Sequence, residues 1–484
     1  MLEYLLEESN ITWTENGAMA YKSTGSACLD LFASVGAIRN LPEDDIEKRF
    51  VRAFAENPDL AMKMLFYARD VRGGLGERRV FRVILRYLAL HEPDSVALNL
   101  RSIPELGRWD DLLVLLDTPV RDAAVAILKS QLQEDLEAME HGQPVSLLGK
   151  WLPSANASSP GTVKVARQLA RALGLREAEY RRTLTALREQ IRILENHLRT
   201  RDYTFDYAEQ PARAMFRYHA AFYRNDGERY EKYLMQVCSG ETRMHTGTVM
   251  PYEIVQCAWR PAPDERAALD ATWRALDDFT DGENALVVAD GSGSMYWGRH
   301  PIPAAVAQSL AIYFAERNRG VFHNHFITFS EHPRLIEIQG RDITEKANYC
   351  RTFNECGRTN IEAVFQLILK TAVRHALPQS ELPTTLYIVS DMEFDACTEG
   401  ARVTNFEHAR REFERHGYRL PRVIFWNVQA RGEQVPVQAN AQGAALVSGC
   451  TPRIFSQVMR GEMDPYANML HILGMPRYAQ IHAA

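Results

Sequence analysis

From about residue 40 to residue 280, apolar positions recur at intervals of three and four. Asp45 to Ala55, Leu60 to Ala68, Arg79 to Leu90 and Val120 to Leu136 each gather their apolar side chains on one helical face. Proline or glycine punctuates them at Pro42, Pro58, Gly73-Gly74, Pro93, Pro104 and Gly107. Helices with such short connections pack as pairs. No fixed period is readable, so the predicted form is an irregular, HEAT-like α-helical solenoid. After a linker over Pro261–Asp281 the pattern changes. Short unbroken apolar runs predict strands over 284–289, 321–329 and 334–338, one ending at Asp391, then Arg422–Asn427 and Ala444–Val447. Helical stretches fall between them, near 302–317, up to 375, near 404–416 and from Pro452. Strand–helix alternation of this kind predicts a doubly wound, Rossmann-like α/β domain. The expected division is a helical module over 1–280 and an α/β domain over 281–484.

Length agrees with more than one domain, since 484 residues exceed a single ordinary core. Hydrophobic residues at 46%, charged residues at 24% and a net charge of −6 describe a soluble globular chain. They do not describe a general nucleic-acid binder, which is usually basic. The start of the chain is acidic and lacks the basic flank and apolar core of a secretory signal. No run reaches the ~18 apolar residues of a membrane span. Seven cysteines, an odd number without CxxC spacing, argue for a reducing compartment and against a disulfide framework or zinc site. The expected location is therefore cytoplasmic, away from membranes.

Candidate chemistry centres on Asp290-Gly291-Ser292-Gly293-Ser294-Met295, directly after the apolar run Ala285–Ala289. One carboxylate and two hydroxyls stand at alternate positions, with a glycine between the hydroxyls. Read alone, this is a turn. Its oxygen-only donors also suit a hard cation such as Mg²⁺. An aspartyl-phosphate mechanism would need a second aspartate where Ser292 stands. The Asp-x-Ser-x-Ser pattern resembles the opening of the metal-ion-dependent adhesion site of von Willebrand factor A domains. That resemblance implies a threonine from a second loop, matched by Thr359 in Gly357-Arg358-Thr359-Asn360. It also implies an aspartate ending a later strand, matched by Asp391 after Leu386–Ser390. The implied metal ligands are thus Asp290, Ser292, Ser294, Thr359 and Asp391, holding Mg²⁺ (or Mn²⁺ or Ca²⁺). Glu393 and Asp395 stand where they could accept hydrogen bonds from metal-bound water.

The helical half carries a second group of motifs. Tyr67 to Arg82 turns through Gly73, Gly74 and Gly76 and is rimmed by Arg69, Arg72, Arg78, Arg79 and Arg82. It lacks the Gly-x-x-x-x-Gly-Lys-Ser/Thr of a phosphate-cradling loop. Two readings stay open: arginines that grip phosphates, or arginines that pair with Asp70 and Glu77 in a tight helix–helix turn. Gly107-Arg108-Trp109-Asp110-Asp111 and Lys150-Trp151-Leu152-Pro153 follow, then a basic run in which Arg181, Arg188 and Arg192 fall near one helical face. That run is either a solvated face or part of a basic surface. Trp109, Trp151 and Tyr203 are either core aromatics or platforms for unpaired bases.

In fixed order, these motifs with the adhesion-type site resemble the Ro ribonucleoprotein family. Its members join a helical TROVE module, named after telomerase, Ro and vault proteins, to a von Willebrand A domain. The motifs resemble still more closely an uncharacterised sister family that carries Arg-Asp-x-Arg-Gly-Gly-x-Gly-Glu-Arg, Gly-Arg-Trp-Asp-Asp, Lys-Trp-Leu-Pro and Ser-Asp-Met-x-Phe-Asp. What the resemblance implies is a non-enzymatic RNA-binding protein. It implies a small structured or misfolded non-coding RNA as ligand and an acidic protein ligand that completes the metal site. The family's own RNA contacts do not transfer position by position, so the expected RNA surface comes from this chain's own charge: Arg69, Arg72, Arg78, Arg79, Arg82, Arg108, Lys150, Arg181, Arg188 and Arg192. The alternative is a metal-dependent interaction scaffold without RNA, partnering an acidic protein such as an ATPase. A metal-dependent hydrolase finds no support, because no Ser/His/Asp order or second metal cluster accompanies the site.

Overall fold

The structure, a computed structural model, describes residues 1, 8–191, 193–262, 264–280, 282–297, 300–353, 359–396, 403–461 and 463–484. Near the start, β1 (Ile11–Trp13) and β2 (Met19–Tyr21) form a small antiparallel hairpin. Helices then dominate as far as Arg266–Arg274, among them Glu43–Glu56, Pro58–Arg69, Arg79–His91, Arg121–Glu140, Pro160–Ala172 and Glu177–Gln190. Each expected amphipathic segment is helical, and Asn57 caps the Pro58–Arg69 helix by accepting from Leu60 N. Among the described residues no helix is long and apolar enough to cross a membrane.

The second region is built on six strands: β3 (Ala285–Asp290), β4 (His325–Phe329), β5 (Leu335–Glu337), β6 (Thr385–Ser390), β7 (Arg422–Asn427) and β8 (Ala444–Ser448). Their order is β5-β4-β3-β6-β7-β8, parallel throughout except for β5 on the edge. The strand expected over 321–329 is shorter, because the chain reverses before His325 with Asn324 in the left-handed region at φ 63°. β3 and β6 are buried along almost their whole length, as unbroken apolar runs in parallel sheets should be. From β3 the chain proceeds outward to β4 on one side and returns to β6 on the other. The gap between the carboxyl ends of β3 and β6 is therefore the switch point of the sheet, where open α/β folds place ligands.

The boundary expected near residue 280 divides the sequence more sharply than it divides the packing. One apolar core runs from Ala18 through the first helices and the sheet to Ile481. A second, aromatic core of Phe205, Tyr207, Phe222, Tyr230 and Tyr233 holds the later helices together. Both ends of the chain cross over. Tyr21 exchanges backbone hydrogen bonds with Val435, and Gly36 N donates to Ser448 Oγ at the end of β8. In the other direction Arg477 and Tyr478 reach into the helical region and meet at Asp70.

Asp70 explains much of the glycine-rich motif. Its Oδ1 accepts from Arg72 N at 2.9 Å and Gly73 N at 3.0 Å, which forms the turn. Burial opposes its charge, but the Arg477 guanidinium and these two N–H groups hold the carboxyl below its ordinary range. Gly74 is required by space, since a Cβ there would lie 2.0 Å from the Tyr67 carbonyl oxygen.

Candidate metal centre

Asp290 ends β3 and Asp391 follows the last residue of β6, so pairing of the two strands sets the carboxylates side by side at the switch point. Both are buried, at 2% and 3% exposure. Asp290 is held from two sides. Its Oδ1 accepts from Ser292 N at 2.9 Å, and its Oδ2 accepts from Ser390 Oγ at 2.6 Å. Ser390 Oγ in turn accepts from Met392 N at 3.1 Å. Met392 adopts φ 67°, a left-handed conformation that costs a non-glycine residue about 1–3 kcal/mol and tends to cluster at binding sites. Neither the role of Ser390 nor the strain at Met392 is legible in the sequence. Their signal, a serine just before the aspartate, has no meaning until β3 and β6 are known to be neighbours.

Ser292 and Ser294 turn their hydroxyls toward each other, Oγ to Oγ at 3.0 Å. Thr359 is buried in its loop and donates to the Glu393 carbonyl at 2.8 Å. The adjoining Asn360 caps the Ile361–His375 helix through Ala363 N, which fixes the loop's exit. Gly357 and Arg358 lie outside the described residues. Glu393 is buried rather than a free loop carboxylate, accepting from Glu15 N at 2.8 Å and from Gln434 Nε2. Asp395 pairs through its backbone with Thr359 and with Gly17.

These residues fit a divalent cation by the chemistry of their donors. Every donor is an oxygen, two are carboxylates, and a hydroxyl retains a lone pair after donating once and accepting once. Burial, and next the Asp391 charge, push the Asp290 carboxyl well above its ordinary range. A site whose two carboxylates repel each other in a dry environment is one that a cation relieves. Among the described residues no group of three or more His, Cys, Asp or Glu is placed to hold a metal.

Two groups join this site from parts of the chain distant in sequence. Arg431 Nε lies 3.4 Å from Asp391 Oδ2, and its Nη2 lies 3.0 Å from Glu15 Oε2. Asn16 Nδ2 donates to Thr359 Oγ1 at 3.0 Å and to the Glu393 carbonyl at 2.7 Å.

The arginines expected to hold RNA differ in what they touch. Arg69 is 1% exposed, and its Nε donates to Asp111 Oδ2 at 2.7 Å. Arg82 bridges Asp111 Oδ1 at 2.7 Å and Asp110 Oδ2 at 2.9 Å, and Arg78 joins Asp110 at 2.6 Å. The two motifs thus lock onto each other. The pairing of arginines with Asp70 and Glu77 is not the one formed: those carboxylates take Arg477 and Arg39 instead. Arg79 donates to the carbonyls of Arg39 and Leu41. Arg188 donates to the carbonyls of Gly149 and Leu152 and to Ser154 Oγ. Arg108 stacks on Trp151 at 4.2 Å, with Lys150 5.8 Å from the same ring. Arg72 and Arg181 are exposed, and Arg192 lies outside the described residues. Arg69 is consumed by the fold and Arg188 largely so, while Arg78, Arg79 and Arg82 line one open groove and Arg181 and Arg188 another.

Comparison with known proteins gives relatives without an activity. Residues 14–129 and 163–278 match a family model described as a domain of unknown function, DUF2828, and residues 284–469 match a second, DUF7788. An uncharacterized protein of Acanthamoeba polyphaga mimivirus is 29% identical over 507 residues, covering 96% of this chain and 87% of its own. The crystal structure of the Deinococcus radiodurans RO (RSR) protein is similar at a TM-score of 0.49 and 14% identity, over 93% of this chain and 100% of that one.

Proposed function

We propose that this chain is a non-enzymatic, metal-ion-dependent interaction module that captures an acidic group of a partner protein. The observation that carries this reading is the pair of buried carboxylates, Asp290 and Asp391, brought together at the sheet's switch point beside the Ser292 and Ser294 hydroxyls. Asp290, Ser292, Ser294, Thr359 and Asp391 would hold the ion, with Mg²⁺ the first choice and Mn²⁺ or Ca²⁺ compatible with the same oxygens. A divalent cation, when bound, supplies a coordination position that an external carboxylate can take. The chain's own part is to orient the donors: Ser390 and the Ser292 N–H fix Asp290, and Glu393 holds Thr359.

Calorimetric titration of the metal-stripped protein with Mn²⁺ tests the site. A single site is expected in the native chain. Asp290→Ala should lose more than the roughly 10–100-fold that supporting residues of metal sites cost. Ser390→Ala, which removes the support that Ser390 Oγ gives Asp290 and the Met392 N–H, should fall within that range. Equal uptake by the Asp290→Ala variant would overturn the reading.

A second reading, RNA binding by the helical region, is favoured by one open groove. Arg78, Arg79, Arg82 and Arg86 line it together with Tyr87 and His91, whose rings stack at 4.1 Å. Glu43, Glu47 and Asp117 share that groove and weaken its positive field. Reversing Arg79 and Arg86 to glutamate leaves the buried Arg69–Asp111 pair intact but removes the Arg79 bonds to the Arg39 and Leu41 carbonyls, so circular dichroism is used to confirm that the variant is folded. If RNA binds here, a small RNA co-purifying at low salt is released steeply as salt rises and is absent from the variant. Equal RNA on both proteins removes the groove from consideration.

A further inference from the structure

The hairpin tip between β1 and β2 is seated on the candidate metal centre. Thr14 Oγ1 donates to the Phe394 carbonyl at 2.6 Å, Glu15 N donates to Glu393 Oε2 at 2.8 Å, and Gly17 bridges to Asp395. Asn16 places its amide on Thr359 Oγ1, the hydroxyl expected to face the ion. Glu15 shares the Arg431 guanidinium with Asp391, so one cation links a metal-site carboxylate to a carboxylate carried on the tip. The tip crosses some 340–380 residues of sequence to make these contacts, and it makes them from the surface. Glu15, Asn16 and Gly17 are exposed, Glu15 at 60%. The strands on either side are three residues long, too short to be stable by themselves.

From this juxtaposition we infer that the hairpin tip is the metal centre's own strap, and that Glu15 stands in for the partner's carboxylate. The inference rests on the metal reading above and adds how the site is regulated and what it recognises. An incoming acidic side chain takes Glu15's place on Arg431 beside the ion, and the tip lifts away from Thr359 and Glu393. The partner therefore presents a carboxylate from an accessible, extended or loop segment, because it must replace a hairpin tip. Its affinity is set against a competitor tethered at an effective concentration on the order of millimolar. The pair Arg431 and metal explains why a glutamate rather than a neutral residue occupies the tip: two adjacent cationic groups favour a carboxylate over an amide or hydroxyl.

The test uses the full chain loaded with Mg²⁺ and a hexaglutamate peptide as the acidic probe. Glu15→Gln should bind the peptide roughly tenfold more tightly than the native chain, since it removes the occupant that keeps the competent state scarce. Asn16→Ala should act in the same direction. Arg431→Gln should weaken the peptide and make Glu15→Gln silent, because the two share one guanidinium. In the native chain, peptide should speed amide exchange across residues 11–21, and Mn²⁺ uptake by the Glu15→Gln variant should report an intact site. If Mg²⁺-dependent peptide binding is present but unaffected by Glu15→Gln, the strap is wrong and the metal reading stands. If Glu15→Gln acts equally with and without Arg431, exchange on that guanidinium is wrong. If the native chain takes up no Mn²⁺, the metal reading fails and the strap falls with it.

Discussion

Asp111→Ala is expected to destabilise the protein by about 3–5 kcal/mol, the usual result of removing one partner from a buried ion pair. Asp111 is 0% exposed and receives Arg69 Nε and Arg82 Nε, both at 2.7 Å, together with the Arg108 N–H at 3.0 Å. Its loss strands the Arg69 guanidinium, which is 1% exposed and cannot turn to water. Arginine cannot shed its proton to escape this. The cost is thus the penalty of an uncompensated charge, larger than the net worth of the pair itself. Arg82, a quarter exposed and also paired with Asp110, should lose much less on its own. Urea denaturation followed by circular dichroism will measure the shift in midpoint. Arg69→Met in the Asp111→Ala background should restore part of the loss by removing the stranded charge, which a purely steric account of Asp111 would not give.

Gly74→Ala is expected to cost about 3 kcal/mol or more, at or beyond the upper end of ordinary overpacking. The added methyl would stand 2.0 Å from the Tyr67 carbonyl oxygen, a backbone atom that accepts from Leu75 N at 3.1 Å. Relief requires the turn to open, and opening it breaks that bond and moves Asp70, on which Arg477 and Tyr478 converge. Gly227→Ala provides the contrast. Nothing stands within 4 Å of a Cβ there, so the exchange should be neutral or slightly stabilising. The same denaturation experiment reads both. A Gly74→Ala midpoint equal to that of the native protein would mean the turn is more yielding than its packing indicates.

What could be read from the sequence divides along a physical line. Ala285–Ala289 and Leu386–Val389 announce themselves as strands buried on both faces, and the aspartate after each is therefore at a carboxyl end. Local signals also mark the helices and their caps, as at Asn57 and Asn360. Partners distant in sequence leave no such mark. β1 and β2 lack the four-to-eight-residue run that identifies a strand, and their tip is positioned by residues 359–395 and 431. The arginine motifs show the same limit in reverse. Spacing places Arg69 and Arg82 near one turn, but Asp111, at 42 and 29 residues' remove, determines that they face inward. A conspicuous cluster of charge is thus a fold-building device as readily as a binding surface.

The crossing of the chain's two ends bears on how the protein is made. Asp70 and Arg477 are 407 residues apart, so during synthesis at ~5–20 residues per second they emerge roughly 20–80 s apart. Over that interval the nascent helical region has its glycine turn but not the side chains that close over it, and Gly36 waits for the strand end it will abut. The contacts at Asp70 and Gly36 are therefore completed only after the α/β strands have been made. These closing contacts are late ones, whereas the aromatic core of Phe205, Tyr207, Phe222, Tyr230 and Tyr233 draws on residues made well before them.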